Sequence, residues 1–350
     1  TEKDTDGTAA WGGRSVIGNT TTKNKITLTG HHGGQNVYGG WTSGTGSTAT
    51  GENAKNHSID NTITFNGALA TDTVGNMFGG LTVSPGGNAT GNRAVLEKGK
   101  VTGSLTGGSV GTAGGDATGN FVDINGGNVI GATYGGSVGG TGKAEKNIVT
   151  VTGGTVKGDI YGGKSTSGNA TGNEVTIKGG SATNSDVYGG ESASGDATGN
   201  RVEISGGTAQ DVYGGKASHG NATGNTVTIK GNGGTVQNIT GGRSNSGNAT
   251  GNTVNLGDGT ADFTTGITGT ISSGTTYGND YMTGNTLNVH DNVQATNISN
   301  FSEINFRFNQ FVTKTDSFLK LTDAETTTIR SLSDLHLHGE HGHKGTLIEK

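Results

Sequence analysis

The sequence predicts an all-β fold, a parallel right-handed β-helix (solenoid) of about ten to twelve coils with a C-terminal cap. Three observations carry that expectation. A short apolar pattern of period two recurs along the chain, glycine supplies 71 of the 350 residues and gathers at the boundaries of the repeat, and proline occurs once. Period two describes a strand with one buried face, and a unit too small to close its own core must stack on copies of itself.

Each unit opens on an asparagine, with aliphatic or aromatic residues two and four positions later. The pattern runs through Asn24-Ile26-Leu28, Asn61-Ile63-Phe65, Asn120-Val122-Ile124, Asn147-Val149-Val151, Asn173-Val175-Ile177, Asn200-Val202-Ile204, Asn225-Val227-Ile229, Asn252-Val254-Leu256 and Asn285-Leu287-Val289. Asn92-Ala94-Leu96 fits with a smaller middle residue and completes ten units, spaced 25 to 28 residues apart between Asn92 and Asn252. A Gly-Gly pair follows, as at Gly126-Gly127 and Gly153-Gly154, where glycine supplies the left-handed angles of a corner. A second strand ends in an aromatic before another Gly-Gly, at Tyr134, Tyr161, Tyr188 and Tyr213, with earlier copies at Trp11, Tyr38 and Phe78. A polar turn and the phrase Ala-Thr-Gly-Asn close the unit, with room for a third short strand.

Stacked at the usual strand spacing of about 4.8 Å, ten coils make a rod roughly 50 Å long. A thin interior filled by a few Val and Ile per coil accounts for a hydrophobic content of only 28%. Proline is excluded because an inner strand uses its N–H in the ladder. Parity makes the leading asparagines face inward, as an amide ladder. The same register sets Glu174 beside Arg201 on neighbouring coils, an opposite-charge pair, and repeats threonine outward at Thr27, Thr64, Thr150, Thr176 and Thr228.

Composition excludes several classes. Collagen needs glycine at every third position, a disulfide scaffold needs cysteine, and the chain has none. No run of about 18 apolar residues occurs. A net charge of −5 creates no field for nucleic acid, and no nucleic-acid partner is expected. The absence of cysteine suits a chain that crosses a membrane unfolded. The chain opens at Thr1 without initiator methionine or signal peptide, so a segment excised from a longer protein is expected.

Candidate sites are few. Asn-Ala-Thr at Asn88, Asn169, Asn221 and Asn248 matches a glycosylation sequon, but Asp116 and Asp196 take the same slot, which reads as turn chemistry. Neither a P-loop nor a nine-residue calcium repeat is present, and no cofactor is expected. The threonine columns are too interrupted for an ice-binding face. Asp123, Asp159, Glu191, Glu203 and Asp211 are scattered over different slots, whereas a polysaccharide lyase or hydrolase needs acids that converge. His336, His338, His341 and His343 read as a solvated tail that binds metal only adventitiously. Tyr134, Tyr161, Tyr188 and Tyr213 form one column in four successive coils. If Val187 and Val212 face inward, these rings face out, either as an exposed stripe for sugar rings or another protein or as rings lying over one another.

Residues 1–296 form the repeat region. From 297 to 350 glycine thins out, and Phe301, Phe306, Phe308, Phe311 and Phe318 supply five of the nine phenylalanines, as expected of a cap ending in a His-rich tail. Residues 319 to 338 alternate enough for one or two strands. The Gly-rich repeats, the phrase from Ile298 to Phe308 and the strand Leu319-Lys320-Leu321-Thr322 resemble passenger domains of classical, monomeric type V autotransporters of Gram-negative bacteria. The resemblance covers nearly the whole chain. It implies display at the cell surface, anchorage through an outer-membrane β-barrel of the full-length protein, and an adhesin. Its partner would be a host surface protein or glycan, or another copy in biofilm self-association. It carries over no catalytic residue, and no Gly-Asp-Ser-Gly motif occurs. The alternatives are a carbohydrate-active β-helix enzyme and a structural stalk.

Overall fold

The computed structural model describes residues 2–3, 9–15, 20–30, 32–43, 56–112, 114–231, 234–259, 263, 266–275, 280–307, 317–323, 335–338 and 347–349. The described residues contain no helix and form a parallel β-solenoid of about ten turns. The coil that starts at Asn173 shows its anatomy. Glu174–Ile177 lies in a 12-stranded sheet, Ser181–Ala182 and Val187–Ser192 in an 18-stranded sheet, and Ala197–Thr198 in an 8-stranded sheet. The third short strand is the Ala-Thr of each closing phrase. In the central coils the register holds residue for residue. Val122, Val149, Val175, Val202, Val227 and Val254 are successive partners.

Inside this triangle each coil contributes a handful of apolar side chains. Val202, Ile204, Ala209 and Val212 are buried in one coil, and Val227, Ile229, Val236 and Ile239 in the next. Neighbouring coils thus provide most of the contact area that covers any one coil, so stability is close to a sum of nearest-neighbour terms.

The ten leading asparagines form the inward ladder that parity predicts. Asn200 is typical: its Nδ2 donates to Ala170 O at 2.9 Å and to Asn225 Oδ1 at 3.0 Å, and its backbone N–H donates to the same Oδ1 at 3.0 Å. Its own Oδ1 accepts the two matching bonds from Asn173. The buried amide suits this place because it offers two N–H donors and a separate carbonyl acceptor in one short side chain.

An outer column uses the same device with acceptors alone. In the Asn-Ala-Thr slot, Asn169 Oδ1 accepts the N–H of Asp196, Asp196 Oδ1 that of Asn221, and Asn221 Oδ1 that of Asn248. Only an acceptor is used, so Asn and Asp interchange there, His57 Nδ1 serves Asn88 and Lys143 interrupts the column, while the inner column holds asparagine throughout. This is the turn chemistry expected of that motif.

The glycines divide into two kinds. Gly127, Gly154, Gly180 and Gly207 have φ between 73° and 84° and turn the corner as expected. The pairs after the tyrosines have no positive φ; they are needed for close approach. A Cβ on Gly190 would run into the side chain of Asn200, and one on Gly189 into the carbonyl oxygen of Gly214.

Stacking does not stop at residue 297. Asn297–Ser299 pairs with Thr270–Thr275, and Glu303–Arg307 with Thr286–Val289, both parallel and in the same two sheets. Leu335–His338 extends that second sheet, and a separate three-stranded sheet joins Val293–Ala295, Leu319–Leu321 and Ile348–Glu349. Composition changes at 297 while the backbone keeps its stacking. At the other end Glu2–Lys3 runs antiparallel to Ala9–Ser15, the one antiparallel pairing among the described residues.

Candidate functional site

The outer surface of the 18-stranded sheet carries the most organised side-chain columns. The aromatic slot reads Trp11, Tyr38, Phe78, Thr106, Tyr134, Tyr161, Tyr188, Tyr213, Thr240 along the rod. Val187 and Val212 are fully buried, so the tyrosines do point outward. They are nevertheless covered. Tyr161, Tyr188 and Tyr213 are 7%, 5% and 9% exposed, and Tyr134, at the end of the stack, is half-buried. Of the two readings of this column, rings lying over one another is the one the structure shows, and the exposed stripe is not. Rings from Tyr134 to Tyr213 lie parallel with centroids 5.1, 4.9 and 5.0 Å apart. The coil repeat is close to the thickness of an aromatic stack, so each ring hides the face of the next.

Two flanking columns complete the cover. Three residues further along the strand, Lys164 and Lys216 both pair with Glu191, at 2.8 and 3.1 Å. Lys164 Nζ sits 4.3 Å from the Tyr161 centroid and Lys216 Nζ 4.9 Å from that of Tyr188. Two residues before each ring, Asp159, Asp186 and Asp211 accept the phenolic hydrogens of Tyr161, Tyr188 and Tyr213 at 3.2, 3.0 and 3.3 Å. Asp159 and Asp186 also accept the backbone N–H of the next aspartate. A ligand laid on this face meets the lysines and Glu191 before it meets the rings.

Electrostatics follow from this packing. Burial raises the Tyr161 and Tyr188 hydroxyls far above the ordinary tyrosine range, and the nearby carboxylates raise them further. Burial raises Asp186, against the bond from Tyr188. Burial also pushes Glu191 upward, but Lys164 and Lys216 outweigh it and hold the carboxyl below its usual value. The tyrosines are therefore neutral donors and Glu191 a fixed anion.

The remaining acids of the outer face are also engaged in the columns. Asp123 pairs with Arg93 at 2.8 Å, and Glu203 with Arg201 and, at 2.8 Å, with Lys230. Glu174 stands in register with Arg201, as the sequence predicts, yet the guanidinium turns along its own strand to Glu203 and Glu174 accepts a bond from Thr176. His336 and His338 lie on Leu335–His338, where His338 Nε2 meets Asn305 Oδ1 at 2.8 Å. His341 and His343 lie outside the described residues, as do Phe308 and Phe311. The sequence reading missed the Asp–Tyr partnership, although Asp-x-Tyr-Gly-Gly recurs at Asp159, Asp186 and Asp211 and was there to be read.

Thr106 interrupts the column between Phe78 and Tyr134. Thr106→Tyr is expected to join the two stacks and stabilise the rod by about 1 kcal/mol, the typical yield of aromatic pairs. Urea denaturation measures it; a lower midpoint would show that the slot cannot take a ring.

Comparison with family models, with curated proteins and with solved structures finds no match for this chain.

Proposed function

We propose that this solenoid is the passenger of a type V autotransporter and serves as an adhesin at the surface of a Gram-negative bacterium. One observation carries the reading. The central coils repeat the same outward slots in strict register, so any contact made by one coil is available again about 4.8 Å further along. Weak contacts repeated on a rigid rod add as avidity, because later ones form at high effective concentration. Engagement of Asp123, Glu191 and Glu203 by neighbouring cations also favours a binding surface over a catalytic cleft.

The test uses beads coated with the whole chain, offered to matrix proteins, immobilised glycans and each other. Retention above that of bare beads on at least one surface is expected. Removing the coils from Asn173 to Gly224, a whole number of repeats, is expected to reduce retention by more than the fraction of coils removed. Beads that hold no better than bare ones in every arm would end the adhesive reading.

A further inference from the structure

The first coils carry a different outer face. Where the tyrosine stack is sealed by lysine and glutamate, the N-terminal stretch shows Arg14, Trp41 and Leu81 in the covering column, over Trp11, Tyr38 and Phe78. Trp11 and Trp41 stack at 6.0 Å, Tyr38 lies 5.9 Å from Trp41, and Phe78 lies 5.2 Å from Tyr38. The Arg14 guanidinium sits 4.9 Å from the Trp11 centroid and 4.7 Å from that of Trp41. Trp41, Tyr38 and Phe78 are half-buried and Arg14 is exposed.

Among the described side chains, two groups here lack a polar partner. Arg93 and Arg201 pair with carboxylates, whereas none of the described side chains forms an ion pair with Arg14. Trp11 is only 6% exposed, and its indole N–H has no acceptor. A buried donor without an acceptor is an unmade bond that a ligand oxygen can complete. Beside it stands an exposed guanidinium packed against two indoles, a group suited to a carboxylate.

We propose that Arg14, Trp11 and Trp41, with Tyr38 and Phe78, bind an acidic sugar, a pyranose carrying a carboxylate. The C–H face of the sugar packs on the aromatic surface, the carboxylate takes the exposed guanidinium of Arg14, and a sugar oxygen accepts the Trp11 N–H. A peptide fits less well. The backbone groups beneath this face are already paired in the parallel ladder, so an extended peptide would find only side chains to satisfy its own N–H and C=O groups. The site deepens the adhesive reading by naming a ligand class, and it is tested apart from that reading on soluble oligosaccharide.

The chain has two tryptophans, and both are in this site, so tryptophan emission, excited selectively over tyrosine, reports on it alone. The whole chain is titrated with oligogalacturonate, with its methyl ester, and with an oligomer of aspartate. A saturable change in tryptophan emission is expected with oligogalacturonate, with affinity about tenfold or more above that of the uncharged ester and falling with salt. Arg14→Ala should remove that preference, leaving acid and ester equal, while Arg243→Ala, further along the same face, leaves it unchanged. Circular dichroism confirms that each variant is folded. No emission change at millimolar sugar, equal affinity for acid and ester, or full affinity in folded Arg14→Ala would overturn the site. Tighter binding of the aspartate oligomer would replace the sugar by an acidic peptide. Sugar binding without bead adhesion would defeat the adhesive reading alone, and adhesion without sugar binding would defeat this site alone.

Discussion

Asn200→Asp is expected to destabilise the solenoid by about 3–5 kcal/mol at neutral pH, whereas Asn169→Asp should change stability by no more than about 0.5 kcal/mol. The chemistry of the change is identical at both positions. Asn200 is 1% exposed and gives both Nδ2 hydrogens away, to Ala170 O and Asn225 Oδ1. Aspartate there loses both donors and sets an oxygen against two acceptors in a dry interior. Asn169 is half-buried and is used through Oδ1, by the N–H of Asp196, a task aspartate performs equally well. The new charge stands between Lys143 one coil before and Asp196 one coil after, which offset each other. The pH dependence has a definite sign. The buried carboxyl introduced at 200 has its folded-state pKa raised above the unfolded value of about 4, so the native state holds the proton longer. The deficit relative to the parent is smallest below that unfolded value and grows as pH rises through the folded one. Urea midpoints of parent and variants at pH 4 and pH 7 measure both effects. Equal deficits at 169 and 200 would refute the division between donor-and-acceptor and acceptor-only columns.

The second large effect is expected at the glycine pairs. Gly189→Ala and Gly190→Ala should each cost about 3 kcal/mol, at the upper end of overpacking penalties. A methyl group at 189 meets the Gly214 carbonyl oxygen of the next coil, and one at 190 meets the Asn200 amide. Both obstacles are held by the stack, and relief requires prising coils apart. Gly199→Ala meets nothing within 4 Å and carries only the penalty of φ at 64°, about 1–2 kcal/mol. Coils contact chiefly their neighbours, so hydrogen exchange in the two costly variants should rise first around residues 187–215 and spread outward later. A uniform loss of protection along the rod would show that it unfolds as one unit. If Gly189→Ala cost no more than Gly199→Ala, close approach would not be the reason for the pairs.

The path of the chain was legible because it is written in parity and period. Asn173-x-Val175-x-Ile177 names the inner face of its strand, and repetition every 25 to 28 residues names what lies above and below it. From these alone the inward amide ladder, the register of Glu174 with Arg201 and the outward direction of Tyr188 followed. The interchange of Asn88, Asp116 and Asp196 in one slot likewise marked a turn rather than a glycan acceptor. What the outward residues do was not legible, since a side chain on a sheet surface chooses among neighbours two residues away on its own strand and one coil away on either side. Arg201 took Glu203 in preference to Glu174, and Lys164 and Lys216 folded over the tyrosines.

Sequence by itself thus determined the repeat, the buried columns and the positive-φ corners at Gly127, Gly154, Gly180 and Gly207, because burial and backbone angle are set by residue type and spacing within one unit. Tertiary structure alone decided that the tyrosine column is sealed, that the glycine pairs after it serve close approach, that strands go on stacking past residue 297, and that Arg14 packs against two indoles. Those outcomes depend on distances between coils, where a spacing near 5 Å makes aromatic rings stack and backbones touch. That spacing is a property of the packed ladder and has no counterpart in any single stretch of the chain.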